Sequence, residues 1–137
     1  MIRLLEQAQN TSQRAIAWVN KNGVPITLSQ ETSSYMQNAL GEIRGNDYSN
    51  KHFYEIQCQL LDIASYLGEV IKDWRRDCNW AWHSYPNGKK VWMIVFSNNQ
   101  YFDVLGAIVS CWVFTPEFPN RSVPMQIEFL RRRLSDT

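Results

Sequence analysis

Cysteine is scarce in this chain, and the few present do not pair by pattern. Cys58, Cys78 and Cys111 form an odd set without a repeated spacing, which excludes a disulfide framework. With no apolar N-terminal stretch beside them, they point to the reducing cytoplasm. Long apolar runs are missing too. A bilayer span needs roughly 18 to 20 uninterrupted apolar residues, and the longest stretches are broken by Asp73, Lys89 or Asp103, so no membrane partner is expected. Histidine numbers 2 and cysteine 3. Neither Cys78 with His83 nor Cys58 with His52 has the close-paired spacing of a zinc site, and no metal is expected. A Gly-rich phosphate loop, a nucleophile elbow and a paired-histidine motif are all absent, so no catalytic residue and no cofactor follow from motifs.

Excess charge of one sign is also lacking. Lys plus Arg number 14 against 13 Asp plus Glu, a net charge of +1, which leaves no long-range field to draw in nucleic acid or an anionic surface. Any charged partner must be met by a local patch. What the chain does have is apolar and aromatic surface. At 45% hydrophobic and 13% aromatic over 137 residues, it can offset chain entropy, and its length suits one domain, 1–137. A helical N-terminal part over about 1–75 precedes a hairpin and C-terminal helices over about 78–135.

Apolar residues at Ile2, Leu5, Ala8, Ala15, Ile16 and Val19 predict an amphipathic helix weakened near Asn10 to Ser12 and ended by Gly23 and Pro25. A second helix starts at Thr27 with Gln30 as a capping box, or at Ser29, and turns Met36, Leu40 and Ile43 inward before Gly45, Asn46 and Asp47 close it. The longest segment, about 50–75, sets Phe53, Ile56, Leu60, Ile63, Ala64, Leu67, Ile71 and Trp74 within roughly 60° of one line, which faces the core. Glu55, Asp62, Glu69 and Asp73 fall within about 40° of the opposite direction, an acidic stripe with no base on its line, flanked by Lys51 and Lys72.

After that helix the period becomes two. The runs around Trp80 and Trp92 flank Asn87-Gly88, the signal for a two-residue type I′ hairpin over 79–96. That turn sets Trp80, Trp82 and Ser84 against Val95, Met93 and Val91 on a core face. Ala81, His83 and Tyr85 then oppose Ile94, Trp92 and Lys90 on a mixed face. The segment 101–114 reads as helix or strand; Asp103, Gly106 and Ala107 favour helix, and Ile108 to Phe114 favours strand. Pro116 and Pro119 make a connector to a last helix opened by Ser122 and Pro124, with Val123, Ile127, Leu130 and Leu134 at helical spacing. The expected fold class is α+β, with helices packed on a small antiparallel sheet built around the hairpin.

Two surfaces are candidates for partner binding. One is the acidic stripe, since a row of like charges costs stability that a cationic partner would recover. The other is His83, Tyr85 and Trp92 on the mixed face, whose composition is that of an interface hot spot. Arg131, Arg132 and Arg133 fan around their helix, with Glu128 available to pair them, so nucleic acid is not expected as a partner.

The stretch Leu61-Asp62-Ile63-Ala64-Ser65-Tyr66-Leu67-Gly68-Glu69-Val70-Ile71, followed by Trp80 and the hairpin, resembles a bacterial domain family of uncharacterised function. In that family a helix with a Leu-Gly-Glu-aliphatic ending leads to a tryptophan-bearing hairpin and a further helix. The likeness covers about 51–114, and in it Gly68 allows the helix to pack closely on the sheet. Small, near-neutral α+β proteins of this type look like immunity proteins of bacterial polymorphic or contact-delivered toxin systems. The resemblance implies a non-enzymatic, cytoplasmic protein that binds a cognate toxin domain and covers its active site or target-binding surface. The competing readings are a cytoplasmic adaptor or nucleic-acid-binding accessory protein, and an enzyme with its site near His83. Oligomeric state is left open.

Overall fold

The computed structural model describes residues 10–45, 53–114 and 122–135. The expected apolar positions Ile2, Leu5 and Ala8, the helix-closing residues Asn46 and Asp47, the stripe's flanking Lys51, His52, and the Pro116–Pro119 connector lie outside the described residues, as does the side chain of Phe53. The described chain runs α1 (Thr11–Asn22), α2 (Gln30–Gly45), α3 (Phe53–Trp74), β1 (Cys78–Ser84), β2 (Lys90–Phe96), β3 (Tyr101–Phe102), α4 (Val104–Phe114) and α5 (Val123–Ser135). It is the expected α+β fold, with the strands in the antiparallel order β1-β2-β3.

Local chemistry sets the boundaries. The Gly23 N–H donates to Val19 O at 2.8 Å and ends α1. At the start of α2 the cap is Ser29: its Oγ accepts the Thr32 N–H at 3.1 Å, and Thr32 Oγ1 accepts the Ser29 N–H at 3.1 Å. This reciprocal pair is a capping box with threonine in the usual Glu or Gln place. The segment 101–114 holds both conformations, two residues of strand and then a helix. Asp103 makes the change, its Oδ1 accepting the Gly106 N–H at 2.9 Å as an N-cap. The first N–H of α5 donates across the molecule to Gln37 Oε1 at 2.9 Å, which ties α5 to α2.

The core centres on α3, which packs against α1, α2, α4 and β1. Met36, Leu40 and Ile43 of α2, Ile56 through Ile71 on the expected line of α3, and Val123, Ile127, Leu130 and Leu134 of α5 are all buried. Beyond the expected line, Leu61, Ser65, Tyr66 and Val70 are buried as well. A helix apolar around most of its circumference is covered on most sides, and here α1 supplies the extra cover. Trp18 meets Tyr66 with ring centroids 4.6 Å apart. Tyr66 is fully buried and its hydroxyl donates to Pro25 O. Burial, with the negative field of Glu31, pushes that phenol up to about 12.

The hairpin register differs from expectation by one residue. Trp80 opposes Ile94, Trp82 opposes Trp92 and Ser84 opposes Lys90. The cause is Pro86. Its ring fixes φ near −65°, as position i+1 of a type I turn requires, and the Gly88 N–H closes that turn on Tyr85 O at 2.9 Å. Gly88 follows at φ 86, a value open to glycine at no cost, and Tyr85 N–H donates to Lys89 O at 2.8 Å. The loop is therefore three residues, a type I turn plus a G1 bulge, in place of the I′ turn that Asn87-Gly88 alone suggests. One residue of slip changes which side chains share a face. Trp92 joins Trp80, Trp82, Ile94 and Phe96 on the helix side, and Met93 moves to the other face.

Gly68 lies under the Trp80 indole: a Cβ there would stand 2.0 Å from Trp80 Cζ2. Trp80 Nε1–H donates to Glu69 Oε2 at 2.9 Å, so Gly68 and Glu69 seat and orient one ring. Trp92 stacks parallel to it, centroids 6.4 Å apart, and its Nε1–H reaches Thr11 Oγ1 at 3.3 Å. Trp82, expected in the core beside Trp80, is 38% exposed and packs edge-on to Trp92 at 5.2 Å. It lies further along β1 from the Gly68 seat.

The two tryptophans should thus separate in a stability measurement. Trp80→Ala should cost about 3–5 kcal/mol, the range for large aromatic truncations. Trp82→Ala should cost about 1 kcal/mol or less, as a partly exposed ring leaves little cavity. Urea unfolding of the two variants checks this, and equal losses would contradict the placement.

Candidate interaction surface

The sheet face turned away from α3 carries Asn79, Ala81, His83 and Tyr85 from the first hairpin strand and its end. Val91, Met93 and Val95 come from β2, and Tyr101 from β3. His83 pairs with Val91 and Tyr101 with Val95, on opposite sides of β2. Their rings nevertheless stack, centroids 4.2 Å apart and 26° between planes, so they meet across β2 above Met93. That methionine is 0% exposed yet stands outside the cluster of residues that forms the main core. Tyr85 closes the group edge-on, 4.9 Å from His83 and 6.2 Å from Tyr101. Tyr101 itself is 38% exposed. The result is an aromatic plate on the face where Met93 is buried.

Its supports come from both ends of the chain's second half. Arg133 Nη2 donates to Tyr101 O at 2.6 Å and pins β3 from α5. Partial desolvation, then the negative field of Asp103, raises the Tyr85 phenol above its ordinary value. Of the expected hairpin-surface residues, the structure brings His83 and Tyr85 together and adds Tyr101. Trp92 belongs to the other face, by the register shift that Pro86 imposes. Tyr101 could have been found from the polar loop Ser97 to Gln100, which returns the chain against β2: Phe96 N–H donates to Gln100 O at 2.8 Å.

The acidic stripe is corrected in its electrostatics. Asp62 Oδ1 stands 2.6 Å from Arg14 Nη1. Glu69 Oε2 accepts from Trp80 and lies 3.5 Å from Lys72 Nζ. Asp73 Oδ1 is 3.9 Å from Arg76 Nη2. Glu55 is exposed in the first turn of α3, where a carboxylate suits the helix dipole. Three of the four expected stripe residues therefore have a basic neighbour. The expectation of a free row failed because the wheel of one helix does not contain Arg14, which α1 brings across.

Beside that pair, α1, α2 and α3 leave a cleft of about 280 Å³, lined by Arg14, Trp18, Glu42, Gln59 and Asp62 among others. Its charges are mixed, and its lining lies entirely on helices, away from His83. Cys78 and His83 point to opposite faces of β1, as residues five apart on a strand must. Burial pushes the Cys78 thiol up to about 11, with Asp77 adding to the effect, which leaves it protonated at neutral pH and a poor nucleophile. Asp77 is held below the ordinary carboxylate range by hydrogen bonds from Arg75 and Ser97. No three His, Cys, Asp or Glu side chains among the described residues stand together as a metal set. Among those residues no helix is long and apolar enough to cross a membrane.

Lysine at Glu69 should therefore behave differently from lysine at Glu55. Glu69→Lys strips the Trp80 indole of its acceptor and sets a cation against Lys72, and should lower stability by about 1–3 kcal/mol. Glu55→Lys gives up only a favourable charge at the helix N-terminus and should cost about 1 kcal/mol or less. Thermal melts at low salt decide it; equal effects would show that both carboxylates are simply solvated.

No protein-family model matches this chain, and neither a curated protein nor a solved structure is significantly similar to it.

Proposed function

We propose that the chain is an immunity protein that acts by binding: it holds a cognate toxin domain in the cytoplasm and covers that domain's active site or target-binding surface. The observation that carries the binding part is the plate of His83, Tyr85 and Tyr101. Tyrosine is enriched at interface hot spots because it offers a large amphipathic contact with few torsions to freeze. Here stacking and the sheet have already fixed those torsions, so less ordering entropy is lost on association. Glu55, exposed in the first turn of α3, is the stripe residue that remains to meet a basic group of the partner, while Asp73 sits beside Arg76. Asp62 and Glu69 are engaged inside the fold, and Trp92 is used in the tryptophan stack. The toxin as partner rests on the sequence resemblance alone.

Co-expression with the product of the gene immediately upstream tests the proposal. That product should arrest growth by itself, and this chain should restore growth. Tyr101→Ala and His83→Asp should each abolish rescue and weaken binding by about 2 kcal/mol or more, roughly thirtyfold, while far-UV circular dichroism stays unchanged. A harmless upstream product would contradict the toxin reading. Full rescue by both variants would contradict the surface.

A further inference from the structure

β1 is an edge strand. Among the described residues its one strand neighbour is β2, and along the pairing the backbone groups of residues 79, 81, 83 and 85 are those directed at β2, as the Tyr85 N–H to Lys89 O bond shows. Residues 78, 80, 82 and 84 therefore direct their N–H and C=O groups outward. Natural edges are usually blunted by charge, proline, a bulge or shortness. This strand runs seven residues, Cys-Asn-Trp-Ala-Trp-His-Ser, with no charged residue and no proline. One local device is present: Asn79 Oδ1 accepts the Trp80 N–H at 2.9 Å. Trp82, 38% exposed, stands on the same edge strand.

We propose that β1 is the dimerisation edge of this protein, pairing antiparallel with β1 of a second copy to join two three-stranded sheets into one. The occupant follows from the strand itself. Outward-directed residues must face outward-directed residues, and overlap of the whole strand places Ala81 on the two-fold axis. Trp80 then exchanges backbone bonds with Trp82 of the second copy, and Cys78 with Ser84. Each Trp82 gains an apolar neighbour, and no like charges meet along the ladder. The antiparallel sense is also the electrostatic choice. Lys89 and Lys90 are exposed at the hairpin tip; antiparallel pairing sends the two tips to opposite ends, whereas a parallel pair would set four lysines side by side. The Asn79 side chain, released from Trp80, faces His83 of the second copy at a non-hydrogen-bonded position. The interface uses the strand edge and reaches only His83 of the aromatic group, leaving the Tyr101 ring, which lies across β2 on β3, outside it.

Sedimentation of the full chain tests this, with two variants. The wild type should sediment at twice the mass of one chain, and Trp82→Lys, which places a charge on the edge, should halve that mass with unchanged circular dichroism. Ala81→Cys reads the register even if the lysine variant fails to fold. Facing residues at the axis are about 4.5 Å apart between Cα atoms, within disulfide range, so mild oxidation should join the two introduced thiols in a disulfide identifiable by mass spectrometry. A wild type that stays at the mass of one chain overturns the proposal. So does a dimer that gives no link between the introduced thiols.

Discussion

The Trp80 indole resting on Gly68 is the contact on which the arrangement of the molecule depends. The helix-side residues of the sheet, Ile94 and Phe96 among them, are buried against the helices, and the Trp80 contact sets how closely the sheet meets α3 where Gly68 falls. At position 68 any side chain would enter the space of the ring, so the helix and the strand approach at backbone distance. Glu69, one residue on, accepts the indole N–H and fixes the ring's direction without leaving a buried donor unpaired. Once Trp80 is seated, alternation along β1 and the register set at Pro86 decide which residues of β2 share its face. Trp92, Ile94 and Phe96 turn to the helices, and His83, Tyr85, Met93 and Tyr101 turn away. The candidate surface is in this sense the reverse side of the core contact.

Much of this is legible in the residues. The helix of α3, its core line, the hairpin, the cap at Ser29 and the close approach at Gly68 all follow from periodicity or from a single residue's shape, and these are local properties. The register is legible too, but only by giving Pro86 precedence over Asn87-Gly88. Proline has no N–H to give Lys89 in a two-residue Asn87-Gly88 loop, and its fixed φ suits position i+1 of a turn that begins at Tyr85. Reading the Asn-Gly pair first puts Trp92 on the wrong face, and with it one member of the proposed surface.

What could not be read is which helix covers which. Asp62 lies on the polar side of α3 by its own helical wheel, yet Arg14, far away in sequence, meets it at 2.6 Å. Leu61, Tyr66 and Val70 lie off the expected core line and are buried because α1 and the other helices surround α3. Tyr101 enters the aromatic plate through β3, a strand of two residues, too short to show a period of its own. These are tertiary facts, and they bear directly on the proposed binding surface. They engage Asp62 and Glu69 of the acidic stripe inside the fold and make the aromatic face the proposed surface.

A double-mutant cycle on Gly68 and Trp80 tests the central contact most directly. Gly68→Ala in the wild-type background forces a methyl into the indole and should destabilise by about 1–3 kcal/mol. In a Trp80→Ala background the same methyl meets no ring, and its cost should vanish or reverse, giving a coupling of at least about 1 kcal/mol. Additive losses, within about 0.5 kcal/mol, would mean that the two residues do not meet and that the sheet is held to α3 in some other way.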